Sequence, residues 1–100
     1  MTHRLFVRDE VWRDLNEIKG WYENRSPGLG MRFALNLDAE FSFISHQPLA
    51  SPMYYKTLRR SFMKRFPYAD FYLVEGETVT ILALVHQSMG PKLTRQKLKR

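Results

Sequence analysis

The chain has 100 residues, 44% of them hydrophobic and 14% aromatic, which suits one domain with one modest core and is too apolar for a disordered segment. It contains no cysteine, so a disulfide framework, thiol catalysis and cysteine-ligated zinc or iron–sulfur sites are excluded. The formal net charge of +6 is one-sided: residues 1–50 hold 6 Lys/Arg against 7 Asp/Glu, and residues 51–100 hold 10 against 3. Solubility alone would not divide the halves in this way. The asymmetry points to an anionic partner, either nucleic acid or an acidic protein segment.

The opening MTHRLFVRDE lacks the apolar run of a signal peptide, and no window nears the roughly 18 apolar residues of a membrane span. A cytoplasmic protein that does not engage a membrane is the expectation. RLFVR (4–8) reads as a short strand. Asp9 is the expected N-cap of a helix, with Glu10 favourable near its positive end. Val11, Leu15, Ile18 and Tyr22 follow at helical spacing, and Trp12 and Trp21 are expected to widen that buried stripe. NRSPGLG should stop the helix near Arg25. A second helix is predicted over about residues 30–45, with Phe33, Ala34, Leu37, Phe41 and Ile44 on one side. HQPLASP ends it, because Pro48 and Pro52 cannot continue the hydrogen-bond ladder.

The period then changes. Residues 55–65, 68–75 and 78–86 read as three strands rich in Phe, Tyr, Val, Ile and Thr. Pro67 makes the first connection tight, and Gly76 serves the second hairpin turn. TVTILALVH is apolar on both faces, so it is expected inside the sheet and covered on each side. The tail PKLTRQKLKR (91–100) has five cations and no acid, and reads as either a frayed helix or a disordered basic arm. The order strand, helix, helix, meander predicts a single α+β domain over residues 1–100. In it, a helical hairpin packs on one face of a mostly antiparallel four-stranded sheet, followed by the basic tail.

Chemistry concentrates in LRRSFMKRFPYADFYLVE (58–75). Arg59, Arg60, Lys64 and Arg65 form a candidate phosphate-binding face; the alternative is an edge strand kept soluble by charge. His86 closes an apolar strand where a general acid or base would meet a substrate, or where a structural or exposed histidine would sit. His3, His46 and His86 show no metal-ligand spacing, so no metal is expected, and nothing in the chain calls for a small-molecule cofactor. Asp70 lies among aromatics inside a strand, where an unpaired charge is costly. It is expected to pair with a cation or to face water. SPGLG lacks the lysine of a phosphate loop and is not a nucleotide cradle.

Taken together, DLNEIKGWY (14–22), SPGLGMRF (26–33), RRSFMKRFPYADFYLVE (59–75) and VTILALVHQSMGP (79–91) resemble the RelE/ParE superfamily of bacterial type II toxins, closest to its ParE-like branch. The resemblance spans about residues 4–91. It implies a toxin neutralised by a cognate antitoxin whose partly disordered segment folds on it. RelE-like members cleave messenger RNA on the ribosome without metal, whereas ParE-like members are associated with poisoning DNA gyrase. Carried over, the resemblance makes Arg59, Arg60 and Lys64 phosphate contacts and Tyr68 a base-stacking ring. Arg65, Lys92 and Arg95 join the target-binding surface. Only on the ribonuclease reading are His86 and Arg60 catalytic. Asp70 stands where relatives usually have an aliphatic residue, and Met89 where many have an arginine. These departures, with a sparse lysine set, favour gyrase over ribosome and message as the target.

Overall fold

The computed structural model describes residues 2–99; Met1 and Arg100, the last cation of the tail, lie outside the described residues. The elements run β1 (Arg4–Val7), α1 (Asp9–Arg25), α2 (Leu29–His46), β2 (Met53–Tyr55), β3 (Leu58–Phe62), β4 (Tyr68–Glu75), β5 (Thr78–His86) and α3 (Pro91–Leu98). The strands form one sheet in the order β1-β5-β4-β3-β2. β1 runs parallel to β5 and the remaining pairs are antiparallel.

The expected α+β architecture is present, with one addition and three corrections. The sheet has five strands rather than four. The segment predicted as one strand over 55–65 breaks at Lys56, whose φ of 50° turns the chain, and Met53–Tyr55 becomes a short edge strand. Asp9 is the first helical residue rather than the N-cap; Arg8 occupies that position and makes no side-chain capping bond. Asp9 and Glu10 still lie in the first turn, where their charge suits the helix dipole. Trp12 and Trp21 are about half exposed. They flank the buried stripe of Val11 and Leu15, and Trp21 instead carries the Arg25 guanidinium 4.4 Å above its ring. The basic tail is helical, as α3, over Pro91–Leu98.

The α1–α2 connection is built by a residue that periodicity does not single out. The Glu23 carboxylate accepts hydrogen bonds from the Gly28 and Gly30 N–H groups, each at 3.0 Å, and so satisfies donors at the start of α2. Gly28, the N-cap of α2, has φ +87°, a conformation a side chain would strain. At Gly30 a Cβ would lie 2.7 Å from the Lys19 carbonyl oxygen, so glycine permits the close approach of the two helices.

The hairpin covers one sheet face. Val11, Leu15, Phe33, Leu37, Phe41 and Ile44 pack on Tyr72, Val79, Ile81 and Leu84; burying such side chains stabilises by about 1.5–3 kcal/mol each. A smaller cluster of Ala69, Phe71, Ala83 and Val85 fills the other face beneath Leu58, Met89 and Leu98. β5 is thus interior and covered on both sides, as its composition predicts. Its pairing with β4 skips Leu82, so Ile81 and Leu84 reach the same core despite opposite parity. Among the described residues no helix is long and apolar enough to cross a membrane.

Candidate functional site

Register decides what the basic strand can do. Arg59 pairs with Tyr72 and Arg60 with Phe71, so the pleat sends the two arginines to opposite faces. Arg59 turns to the hairpin side. Its Nη1 donates to the Ser51 carbonyl at 2.6 Å and to the Leu49 carbonyl at 3.3 Å, pinning the loop after α2. Tyr72 pins the same loop by donating to the Pro48 carbonyl at 2.7 Å. Arg60 turns to the α3 side, where its guanidinium lies between the rings of Tyr54 (4.6 Å) and Phe62 (4.8 Å). Such a cation–π clamp holds the charge in place without neutralising it. The Arg60 Nε is buried without a hydrogen-bond partner, and the residue borders a cleft of about 180 Å³ that is also lined by Phe71, His86 and Met89.

Lys64 and Arg65 lie in the exposed β3–β4 connection, beyond the strand itself. Lys64 borders a groove with Phe43 and Phe62, and Arg65 one with Leu29, Arg32 and Leu35. Tyr68 is part of the hairpin-side packing, 5.9 Å from the Phe33 ring and edge-on to His86 at 5.1 Å. Burial, and then the neighbouring Tyr22, raise the Tyr68 phenol above its ordinary pKa.

His86 pairs with Tyr68 at the end of β5, where it borders both the Arg60 cleft and a groove lined by Tyr22 and Tyr68. Its Nδ1 accepts the Ser88 N–H at 3.0 Å and lies 2.7 Å from the Ser88 Oγ. A backbone donor on Nδ1 assigns the neutral tautomer with its proton on Nε2. The imidazole therefore presents a donor, not a lone pair, to its surroundings. Lys92 and Arg95 are exposed on α3. The structure thus gathers Arg60 and the α3 cations on one side of the sheet. It leaves Arg59 and Tyr68 on the other, His86 at the sheet end bordering both sides, and Lys64 and Arg65 at the connection.

Asp70 departs from expectation. It is fully buried, and neither carboxyl oxygen has a hydrogen-bond partner among the described residues. The cation partner is missing because register sets Asp70 opposite Ser61 and Leu84, while Arg59, on the same face, is committed to loop carbonyls. Ser61 itself donates to the buried Glu40 Oε1 at 2.5 Å. Burial, and then the charge of Glu40, hold the Asp70 carboxyl well above the usual carboxylate range. Glu40 is also raised, by burial, against the Ser61 hydrogen bond and Lys64, which lower it.

Residues that spacing did not reveal are Tyr54 and Phe62, which clamp Arg60, and Tyr55 and Lys99, which border a groove beside α3. The one visible signal was YYK (54–56), an aromatic pair beside a cation. Among the described residues no three His, Cys, Asp or Glu side chains are placed to hold a metal ion.

Comparison with known proteins now bears on this arrangement. A search of curated proteins gives no match. Among solved structures, a chain from the chromosomal ParDE TA system of P. aeruginosa superposes with a TM-score of 0.72 at 17% identity. The match covers 85% of this chain and 96% of that one, a likeness of fold. The family model for the ParE toxin of the type II toxin–antitoxin system parDE matches residues 5–91, which takes in the helical hairpin, all of β2–β5 and His86. The chain belongs to the ParE toxin family of type II toxin–antitoxin systems.

Proposed function

We propose that this toxin inhibits growth by binding DNA gyrase and is held inactive by a cognate antitoxin. The gyrase target follows the association of the ParE branch. The observation that carries it here is that the candidate phosphate-binding cations do not converge on one site. Metal-independent RNA cleavage needs a base at the 2′-hydroxyl, an acid at the leaving oxygen and cations on one phosphate. Arg59 and Arg60 leave opposite faces, Arg59 is bonded to loop carbonyls, and His86 has its Nδ1 lone pair engaged by Ser88. A dispersed set of this kind suits a binding surface better than an active site.

The antitoxin reading has its own support along α2. Met31, Leu35, Ala39 and Phe43 recur every four residues on its outer side and are all exposed, and exposed Phe62 lies across the adjoining groove from Phe43. Arg32, Lys64 and Arg65 border this apolar strip. An acidic amphipathic segment that orders on binding fits both its apolar floor and its charge.

The experiment is induced expression together with a purified gyrase assay, scoring DNA cleavage and message integrity in parallel. Gyrase-dependent double-strand breaks with intact messages are expected, and His86→Ala should stay within a few-fold of wild type in both readouts. Removing a general acid or base would instead cost about 10²–10⁴ in rate. Message cleavage on ribosomes, lost in His86→Ala and unaccompanied by DNA breaks, would replace the gyrase reading with the ribonuclease one.

A further inference from the structure

The face formed by β2, β3 and α3 has a charge pattern of its own. No Asp or Glu occurs between residues 41 and 69 or after residue 77. These three elements therefore carry cations without a single carboxylate. Lys97 alone of the α3 cations is paired, with Asp14 of α1 at 3.2 Å. Among the described residues Lys92, Arg95 and Lys99 make no ion pair, and all three are exposed. They recur at i, i+3 and i+7, which places them along one side of α3 at steps of about 4.5 and 6 Å by the helical rise.

Beside this row lies an open groove of about 770 Å³. Tyr54, Tyr55, Leu58, Arg95, Leu98 and Lys99 line it, with Leu58 and Leu98 packed on the buried cluster beneath. Tyr55 is 64% exposed, and its ring has Lys56 5.3 Å from its centroid. Tyr54 is held by Phe71, edge-on at 5.1 Å, and by Arg60. An exposed ring sharing a groove with unpaired cations is the arrangement by which proteins bind single strands: phosphates follow the cations and bases stack on the ring.

We propose that this groove binds single-stranded DNA without sequence preference, with the backbone along Lys92, Arg95 and Lys99 and a base on Tyr55. An acidic peptide fits less well, since the aliphatic lining is only two leucines and the rest is aromatic and cationic. Deoxyribose suffices for both contacts, since the phosphates and the base faces carry the binding and neither needs a 2′-hydroxyl. The inference rests on charge and ring placement and not on the gyrase reading, so either can fail alone.

The test is fluorescence anisotropy of a labelled sixteen-nucleotide oligothymidylate with the full chain, titrated at several salt concentrations from about 50 mM upward. Saturable binding is expected, weakening with salt by roughly 0.7 log units in affinity per log unit of salt for each phosphate contacted. The double variant Arg95→Gln, Lys99→Gln should shallow that slope by about 1.4. Tyr55→Ala should weaken binding about tenfold and Tyr55→Phe should restore it, because stacking needs the ring and not the hydroxyl. Lys19→Gln, on the exposed side of α1, should leave binding unchanged. All of these residues are exposed, and an unaltered melting temperature establishes that each variant is folded. No saturable binding at low salt overturns the proposal, as does binding indifferent to the α3 pair and to Tyr55→Ala. Tighter binding of a polyglutamate peptide would reassign the groove to an acidic protein, and tighter binding of oligouridylate would reassign it to RNA.

Discussion

Replacing Asp70 by valine should stabilise this protein, and the gain should grow with pH. Asp70 is fully buried between Ser61 and Leu84, with neither oxygen hydrogen-bonded, and it faces the buried Glu40 of α2. Even as a neutral acid, a buried polar group without a partner costs about 1–3 kcal/mol. Valine is of similar size, favours strands and needs no partner. The expected gain at acidic pH is therefore about 1–3 kcal/mol, at roughly 4–8 °C in Tm per kcal/mol for a domain of this size. The pH trend follows from linkage. Burial, and then Glu40, raise the folded-state pKa above the unfolded one, so between the two values the folded state binds more protons and wild-type stability falls as pH rises. The Asp70 contribution is fully present below about pH 3.9, the ordinary aspartate value, and is lost as pH climbs through the raised folded value. Glu40 is raised as well and adds a slope of the same sign, so the informative quantity is the difference between wild type and Asp70→Val. Urea unfolding of both proteins across about pH 4–9 measures it. A valine variant less stable than wild type at neutral pH refutes the reasoning, as does a difference that does not widen with pH.

Three further outcomes are expected. Glu23→Ala should cost about 1–2 kcal/mol by freeing the Gly28 and Gly30 N–H groups at the start of α2, and Gly30→Ala should destabilise as well, because its Cβ meets the Lys19 carbonyl at 2.7 Å. Both are read from denaturant midpoints. Arg59→Ala should lose about 1–3 kcal/mol through its bonds to Ser51 and Leu49, with any loss of toxicity following the loss of folded protein. Toxicity abolished at unchanged stability would instead place Arg59 on the target surface.

How much was legible in the sequence differs from element to element. The order of strand, two helices and meander was legible because a helix repeats its apolar residues every 3.6 positions and a strand every two. Both helix ends beside Pro27 and Pro48, and the interior position of β5, followed from the same local rules. Lys56 was not legible as a break, since a positive φ at lysine has no local signature. The two tryptophans were misplaced because periodicity marks a stripe but not its width.

The candidate site was legible as a composition and not as an arrangement. The positive charge of the second half, the RelE/ParE resemblance and the family to which the chain belongs are all carried by one-dimensional information. Which way each cation faces is not, because adjacent strand residues point to opposite sides and only register names their neighbours. Register gave Arg59 the loop carbonyls, clamped Arg60 between two rings from β2 and β3, and left Asp70 facing a serine instead of an arginine. The sequence by itself determined the fold class, the family and the one-sided placement of the positive charge. Tertiary structure alone decided which cations stay exposed, because a pleated sheet buries one side chain and exposes the next.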